Sequence, residues 1–227
     1  MKAVMLGLFL ALLWSLAPVK ARIAVAPMII EPEQVQAGQV LAVHCQNRSE
    51  EPVEVELALV LFDQDARGKV VLLEDGESVT LVERFLSVEP RYFVLPPGAS
   101  QEIQVQVLEN AFQHLYAALL IKPRQNGLHS RLAVLLLLSG AEEEPALGLS
   151  SWRRRDAGVS LRVENRGGRH GSWAGELLLY DGQGRLASTM RVHSGLVLPG
   201  RSRGVRVSLP GWVEQVEVRS LAPGGER

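Results

Sequence analysis

Val43-His44-Cys45-Gln46-Asn47-Arg48 returns later in the chain as Leu161-Arg162-Val163-Glu164-Asn165-Arg166. Leu61-Phe62-Asp63-Gln64-Asp65-Ala66-Arg67 is echoed, at the same separation of 118 residues, by Leu179-Tyr180-Asp181-Gly182-Gln183-Gly184-Arg185. A third pair, Leu95-Pro96-Pro97-Gly98-Ala99-Ser100 and Leu198-Pro199-Gly200-Arg201-Ser202, keeps the order with a shorter middle. Each copy reads as a strand ending in Asn, a long strand ending in an aromatic-Asp pair, a hairpin, and a Pro-Gly turn into another strand. Two copies of one small sandwich are the economical explanation.

Outward from these blocks the pattern stays β. Val53-Glu54-Val55-Glu56-Leu57, Ile103-Gln104-Val105-Gln106-Val107 and Val205-Arg206-Val207-Ser208-Leu209 alternate apolar and polar residues. Period two puts one face on a core and the other in water. Asp75-Gly76, Gln125-Asn126-Gly127, Asp181-Gly182 and Pro199-Gly200 punctuate the runs as turns. No stretch of helical length shows a 3.6 period, and Glu109 to Leu115 allows one helical turn at most. The fold expected is all-β, two immunoglobulin-like sandwiches in tandem. The first spans 22–140 and the smaller second spans 147–222. A polar linker over 141–146 joins them and a frayed tail follows over 223–227.

Met1-Lys2, the uncharged run Ala3 to Leu16, and the small residues closing at Ala21 have the three-part layout of a secretory signal over 1–21. The run falls short of the ~20 apolar residues of a spanning helix, and Leu132 to Leu138 is only strand-sized. No integral span is expected after cleavage, and the location expected is extracytoplasmic. Cys45 is the single cysteine, so no internal disulfide can form and both cores must hold by apolar packing, within a composition that is 47% hydrophobic.

Residues 22–146 carry 9 Lys+Arg against 18 Asp+Glu, whereas 147–227 carry 13, all Arg, against 7. An acidic half tied to a basic half can attract itself across the hinge or offer two faces to partners. The acidic first half argues against nucleic acid. Trp152-Arg153-Arg154-Arg155 is the sharpest local feature. It reads either as a cationic patch with an aromatic platform for an anionic partner, or as the solvated start of the second domain.

No catalytic constellation emerges. Gly200-Arg201-Ser202-Arg203-Gly204 fits G-x-S-x-G, but that motif needs a helix after the Ser and here a strand pattern follows. His44 and Cys45, as strand neighbours, point to opposite faces. The histidines are scattered, with no metal-ligand spacing, and Glu142-Glu143-Glu144 reads as solvated linker. The expectation is no enzyme, no cofactor and no metal.

Ile23-Ala24-Val25-Ala26-Pro27, the strand Val43 to Asn47, and the run Leu86 to Gly98 resemble the first domain of the PapD-like periplasmic chaperones of pilus assembly. The likeness covers about 120 residues. It implies a chaperone-like protein that holds another exported protein, a pilus-type subunit, by β-strand addition along the last strand of the first domain. Leu132, Val134, Leu136 and Leu138 have the alternate spacing for that role. Leu135 and Leu137 are apolar too, as in a strand buried on both faces, so core strand and donor strand both stand. The family's two basic cleft residues would fall at Met28-Ile29-Ile30 and Val134-Leu135, where neither position is basic. The alternative function is a structural or adhesive module of the cell envelope.

Overall fold

The computed structural model describes residues 23–125, 128–140, 143–155 and 157–221. The signal-like segment over 1–21, the start of the linker and the tail over 223–227 lie outside the described residues. Seventeen strands and one helix follow in order. They are β1 (Ile23–Ala26), β2 (Ile29–Ile30), β3 (Val40–Asn47), β4 (Val53–Gln64), β5 (Val70–Leu73), α1 (Gly76–Phe85), β6 (Leu86–Glu89), β7 (Tyr92–Leu95), β8 (Ser100–Val107), β9 (His114–Gln125), β10 (Leu128–His129) and β11 (Leu132–Ser139). Then come β12 (Leu147–Arg155), β13 (Gly158–Asn165), β14 (Gly171–Tyr180), β15 (Leu186–Val197), β16 (Ser202–Ser208) and β17 (Gln215–Ser220).

In the first sandwich a sheet ordered β1-β3-β8-β6 faces one ordered β2-β11-β9-β4-β5, with β7 and β10 attached to the second. The second sandwich is two three-stranded sheets, β12-β13-β16 and β15-β14-β17. Pairing makes the copies explicit. β1-β3-β8 corresponds to β12-β13-β16, and β5-β4-β9 to β15-β14-β17, whereas among the described residues no strand of the second sandwich answers to β11.

The repeated asparagines explain why the copies fold alike. Asn47 and Asn165 are almost wholly buried. Asn47 Nδ2 donates to the carbonyls of Leu95 at 2.9 Å and Glu51 at 2.8 Å, while its Oδ1 accepts from the Ser49 N–H. Asn165 does the same toward Val197 at 3.0 Å, Arg169 at 2.7 Å and the Gly167 N–H. Each side chain satisfies backbone groups that a buried turn would otherwise strand, at a cost of about 1–3 kcal/mol per group. Gly98 and Gly200, at φ of 72° and 67°, complete the paired Pro-Gly turns, where a side chain would be strained.

The hairpins align differently from the sequence echo. Asp181 accepts from the N–H groups of Gln183 and Arg185, and the residue doing this in the first copy is Asp65, toward Arg67 and Lys69. Asp63 is therefore not the counterpart of Asp181. The first copy's strand is two residues longer, and the extra pair is Asp63-Gln64.

The reading that excluded a helix is also corrected. Residues 76–85 form one, α1, whereas Glu109 to Leu115 holds none. Asp75 is an N-cap, its carboxylate accepting from the Ser78 N–H at 2.9 Å, so the Asp-Gly pair starts a helix and not a turn. Val79, Val82 and Phe85, three apart, put one stripe against the sandwich, with Val82 and Phe85 buried. The stripe is short and rich in β-branched residues, which hides the period, and packing on the sheet overrides the propensity.

The first core runs from Ile23 to Leu138 and includes Cys45, whose thiol is pushed up to about 11 by burial. The second centres on Val163, Trp173, Leu177 and Leu179. A third cluster lies on the outer face of the β9-containing sheet, where Val60, Phe62, Ala118, Leu120 and Leu137 meet Leu198 of the second sandwich. Among the described residues no helix is long and apolar enough to cross a membrane.

Candidate functional site

β11 is the element on which the functional reading turns. It pairs along its whole length with β9, matching Val134 with Leu119, Leu136 with Ala117 and Leu138 with Leu115. Val134, Leu136 and Leu138 are fully buried in the first core, and Leu132 packs against it half-buried. The other face of the strand, Ala133, Leu135 and Leu137, lies in the outer cluster with Leu196 and Leu198. β11 is thus covered on both faces, and its alternate leucines are part of the protein's own core.

The edge of β11 is a different matter. On the side away from β9, Leu135 and Leu136 pair in parallel with Ile29 and Ile30 of β2, and the Ser139 carbonyl accepts from the Val35 N–H at 3.0 Å. The Leu135 N–H donates to the Met28 carbonyl at 3.0 Å, which fixes the outward side of the strand. By alternation Ala133 faces the same way. Among the described residues no strand pairs with 131–134 there. Beside this open edge Met28 and Ile29 are 46% and 53% exposed. The two places where the resemblance asks for basic residues, β2 and β11, are therefore adjacent, and both are apolar.

Polar chemistry at the elbow comes from groups scattered in sequence. The His170 ring is buried and bridges Tyr116 Oη at 3.3 Å and Glu31 Oε1 at 2.7 Å. The His114 ring bridges Ser139 Oγ at 3.1 Å and Glu143 Oε2 at 3.1 Å. With the proton on Nε2 of each ring, the hydroxyl donates to Nδ1 and Nε2–H donates to the carboxylate, so every group is satisfied. Burial pushes the Tyr116 phenol up to about 12, so it stays a donor. The Ser139-His114-Glu143 set resembles a hydrolytic triad in composition only. Ser139 is 1% exposed, so no substrate reaches its oxygen. No sequence signal pointed to these residues, because they come from five separate segments.

A second set clamps the two sandwiches. Gln64 Nε2 donates to the Leu196 carbonyl at 2.8 Å, and Gln64 Oε1 accepts from the Leu198 N–H at 3.2 Å. Arg201 Nε donates to Asp63 at 2.8 Å. Partial burial works against the Asp63 charge, but the Arg201 bond and the Gln64 N–H outweigh it and hold the carboxyl below its ordinary range. The linker residues 143–146 lie against the second sandwich, with Ala146 N–H on Asn165 Oδ1 at 3.2 Å.

Trp152-Arg153-Arg154-Arg155 does not form one patch. Strand alternation separates Trp152 and Arg154 from Arg153 and Arg155. Arg154 is spent on the carbonyls of Val213 and Glu214, while Trp152 remains 40% exposed. Gly200 to Gly204 is a turn leading into β16, a strand, so the G-x-S-x-G match has no nucleophile elbow. Among the described residues no group of three His, Cys, Asp or Glu could hold a metal ion.

No family model and no curated protein matches the sequence. Solved structures do match. The class 5 fimbriae chaperone CfaA superposes with a TM-score of 0.54 at 12% identity, over 88% of this chain and 99% of that one. A chain of the CsuC–CsuE chaperone–tip adhesion subunit pre-assembly complex, from the archaic chaperone-usher Csu pili of Acinetobacter baumannii, gives 0.53 at 13% identity, over 88% and 98%. The YadV chaperone gives 0.51 at 14% identity, over 88% and 92%. What is shared at such identities is the architecture: the chain has the all-β, two-sandwich fold of the PapD-like fimbrial chaperones, carried by a divergent sequence.

Proposed function

We propose that this protein is an extracytoplasmic chaperone-like binding protein that holds an extended apolar segment of a pilus-type subunit against the open edge of β11. The observation carrying this reading is the outward edge of 131–134, which no strand pairs among the described residues, beside the exposed Met28 and Ile29. Backbone hydrogen bonds along such an edge supply affinity, and flanking apolar contacts supply selectivity. The fold it shares with fimbrial chaperones supports the same reading.

Within it, Val134, Leu136 and Leu138 act from inside by fixing the strand, and Leu132 and Ala133 lie where the partner docks. Because the cleft positions are apolar, hold on the partner comes from strand pairing and apolar contact, not from a salt bridge to a chain terminus.

The test is affinity purification of the tagged protein from the extracytoplasmic fraction, followed by mass spectrometry. One small exported β-rich protein, held near one-to-one, is the expected companion. Ala133→Pro removes an N–H on the open side without touching the β9 ladder, and Ile29→Asp charges the apolar shelf. Both should release that companion while the protein stays folded. Recovery alone, or with envelope material that both variants retain, sinks the proposal and leaves the structural-module reading.

A further inference from the structure

The outer face of β12-β13-β16 carries a groove that belongs to neither the elbow nor β11. Val159, Leu161 and Val163 point inward, so their neighbours on β13 point out. The register sets Arg153 opposite Ser160 and Arg155 opposite Gly158. On the other side Ser160 faces Arg206, and Arg162 faces Gly204. The tip of the β4–β5 hairpin leans over this face from the first sandwich, and the Gly204 N–H donates to the Ala66 carbonyl at 3.3 Å.

Between them lies a cavity of about 580 Å³, lined by Arg67, Arg155, Ser160, Leu161, Gly204, Val205 and Arg206. Among the described residues no carboxylate lines it. Arg67, Arg155 and Arg206 are exposed, and among the described residues none forms an ion pair. Asp65, the nearest acid to Arg67 in sequence, accepts from the Lys69 and Arg67 N–H groups and is held below the usual carboxylate range by them and by the Arg67 and Lys69 charges. Two sandwiches thus converge three guanidiniums on one cleft.

The floor adds a second feature. The Gly204 N–H faces away from β13, so Arg206 and Ser208 do too. Among the described residues β16 pairs only with β13, which leaves this edge without a strand beyond the contact with Ala66. A phosphate polymer could satisfy the guanidiniums but not a row of backbone donors and acceptors.

We propose that this groove is a second binding site, for an extended acidic peptide segment that adds as a strand to the edge of β16. Its carboxylates, on alternate residues and so roughly 7 Å apart, meet Arg206 on β16 and Arg67 of the hairpin. Arg suits the task because its planar fork takes carboxylates bidentately and is weakly hydrated. The site rests on a different sandwich from the β11 edge and stands independently of it.

Fluorescence anisotropy on the full chain tests the proposal, with a labelled alternating Thr–Glu peptide of about eight residues at low salt. Saturable binding is expected, with affinity falling about tenfold or more in Arg206→Glu and in Arg67→Gln. It should also fall steeply with salt, and vanish for the Thr–Gln peptide. Amide exchange at Arg206 and Ser208 should slow when the Thr–Glu peptide is bound. Equal binding of the Thr–Gln peptide overturns the proposal, as does wild-type affinity in both variants. Binding of inorganic polyphosphate without binding of the peptide overturns it as well.

Discussion

Asn47 and Asn165 hold equivalent turns with equivalent bonds, and Gly98 and Gly200 close them with the same left-handed backbone. The two sandwiches nonetheless differ where they do work. β4 runs for 12 residues and β14 for 10, and the two extra residues of the first copy, Asp63 and Gln64, grip the second sandwich. The first copy also has β11, which has no counterpart among the described residues of the second, and with it a larger core and the open edge beside β2. The shared residues build the sandwich, and the differences build the elbow and its binding edge.

The sharpest way to break that comparison is in the cores. Leu136→Ala should lower stability by about 3–4 kcal/mol in a denaturant melt, since it opens a cavity in the first core. Val216→Ala on β17 should lower it by only about 1–2 kcal/mol, because that strand closes a smaller sheet pair. Equal losses would mean that β11 does not set the first sandwich apart. Leu136→Asp buries a charge and should prevent the first sandwich from folding, so it reports on stability and not on partner binding.

The shared turns come next. Asn47→Ala and Asn165→Ala should each cost about 2–3 kcal/mol, because each strands buried carbonyls. Matching losses, read by thermal melts, would support equivalence of the copies, and a loss confined to one would deny it.

Gln64→Leu should cost about 1–2 kcal/mol by leaving the Leu196 carbonyl and the Leu198 N–H unpaired. Its mark should be a split into two thermal transitions as the sandwiches uncouple, and an unsplit transition would assign the clamp to apolar contact alone. Asp63→Asn should have the smallest effect, about 0.5 kcal/mol for an exposed pair. The folded carboxyl lies below its unfolded value, so its contribution is present above about pH 4 and is lost as pH falls through the lowered value. Asp63→Asn should flatten that acid limb of the melting curve, and an unchanged limb would remove Arg201 from the clamp.

Much of this was legible from residues alone, and each miss has its own cause. The alternating runs and the buried Asn pair announced themselves because period two and a repeated turn are local signals. α1 escaped because Asp75-Gly76 suits a turn as well as a cap, and Val79, Thr80 and Val82 favour strands in isolation. The hairpin alignment slipped by two residues because Asp63 and Asp65 look alike until their bonds are seen. Leu132, Val134, Leu136 and Leu138 read equally as core or as donor, since spacing does not say which face another sheet covers.

The sequence by itself determined the strand order, the duplication and the class of fold, because side-chain alternation, turn residues and capping asparagines act over a few neighbours. Only the tertiary structure decided which edge of β11 stays open, that Glu31, Tyr116 and His170 meet, and that Arg67 joins Arg155 and Arg206 across two sandwiches. Those arrangements depend on how the sheets stack and how the β4–β5 hairpin leans on β16. Contacts between segments far apart in the chain leave no pattern in either segment.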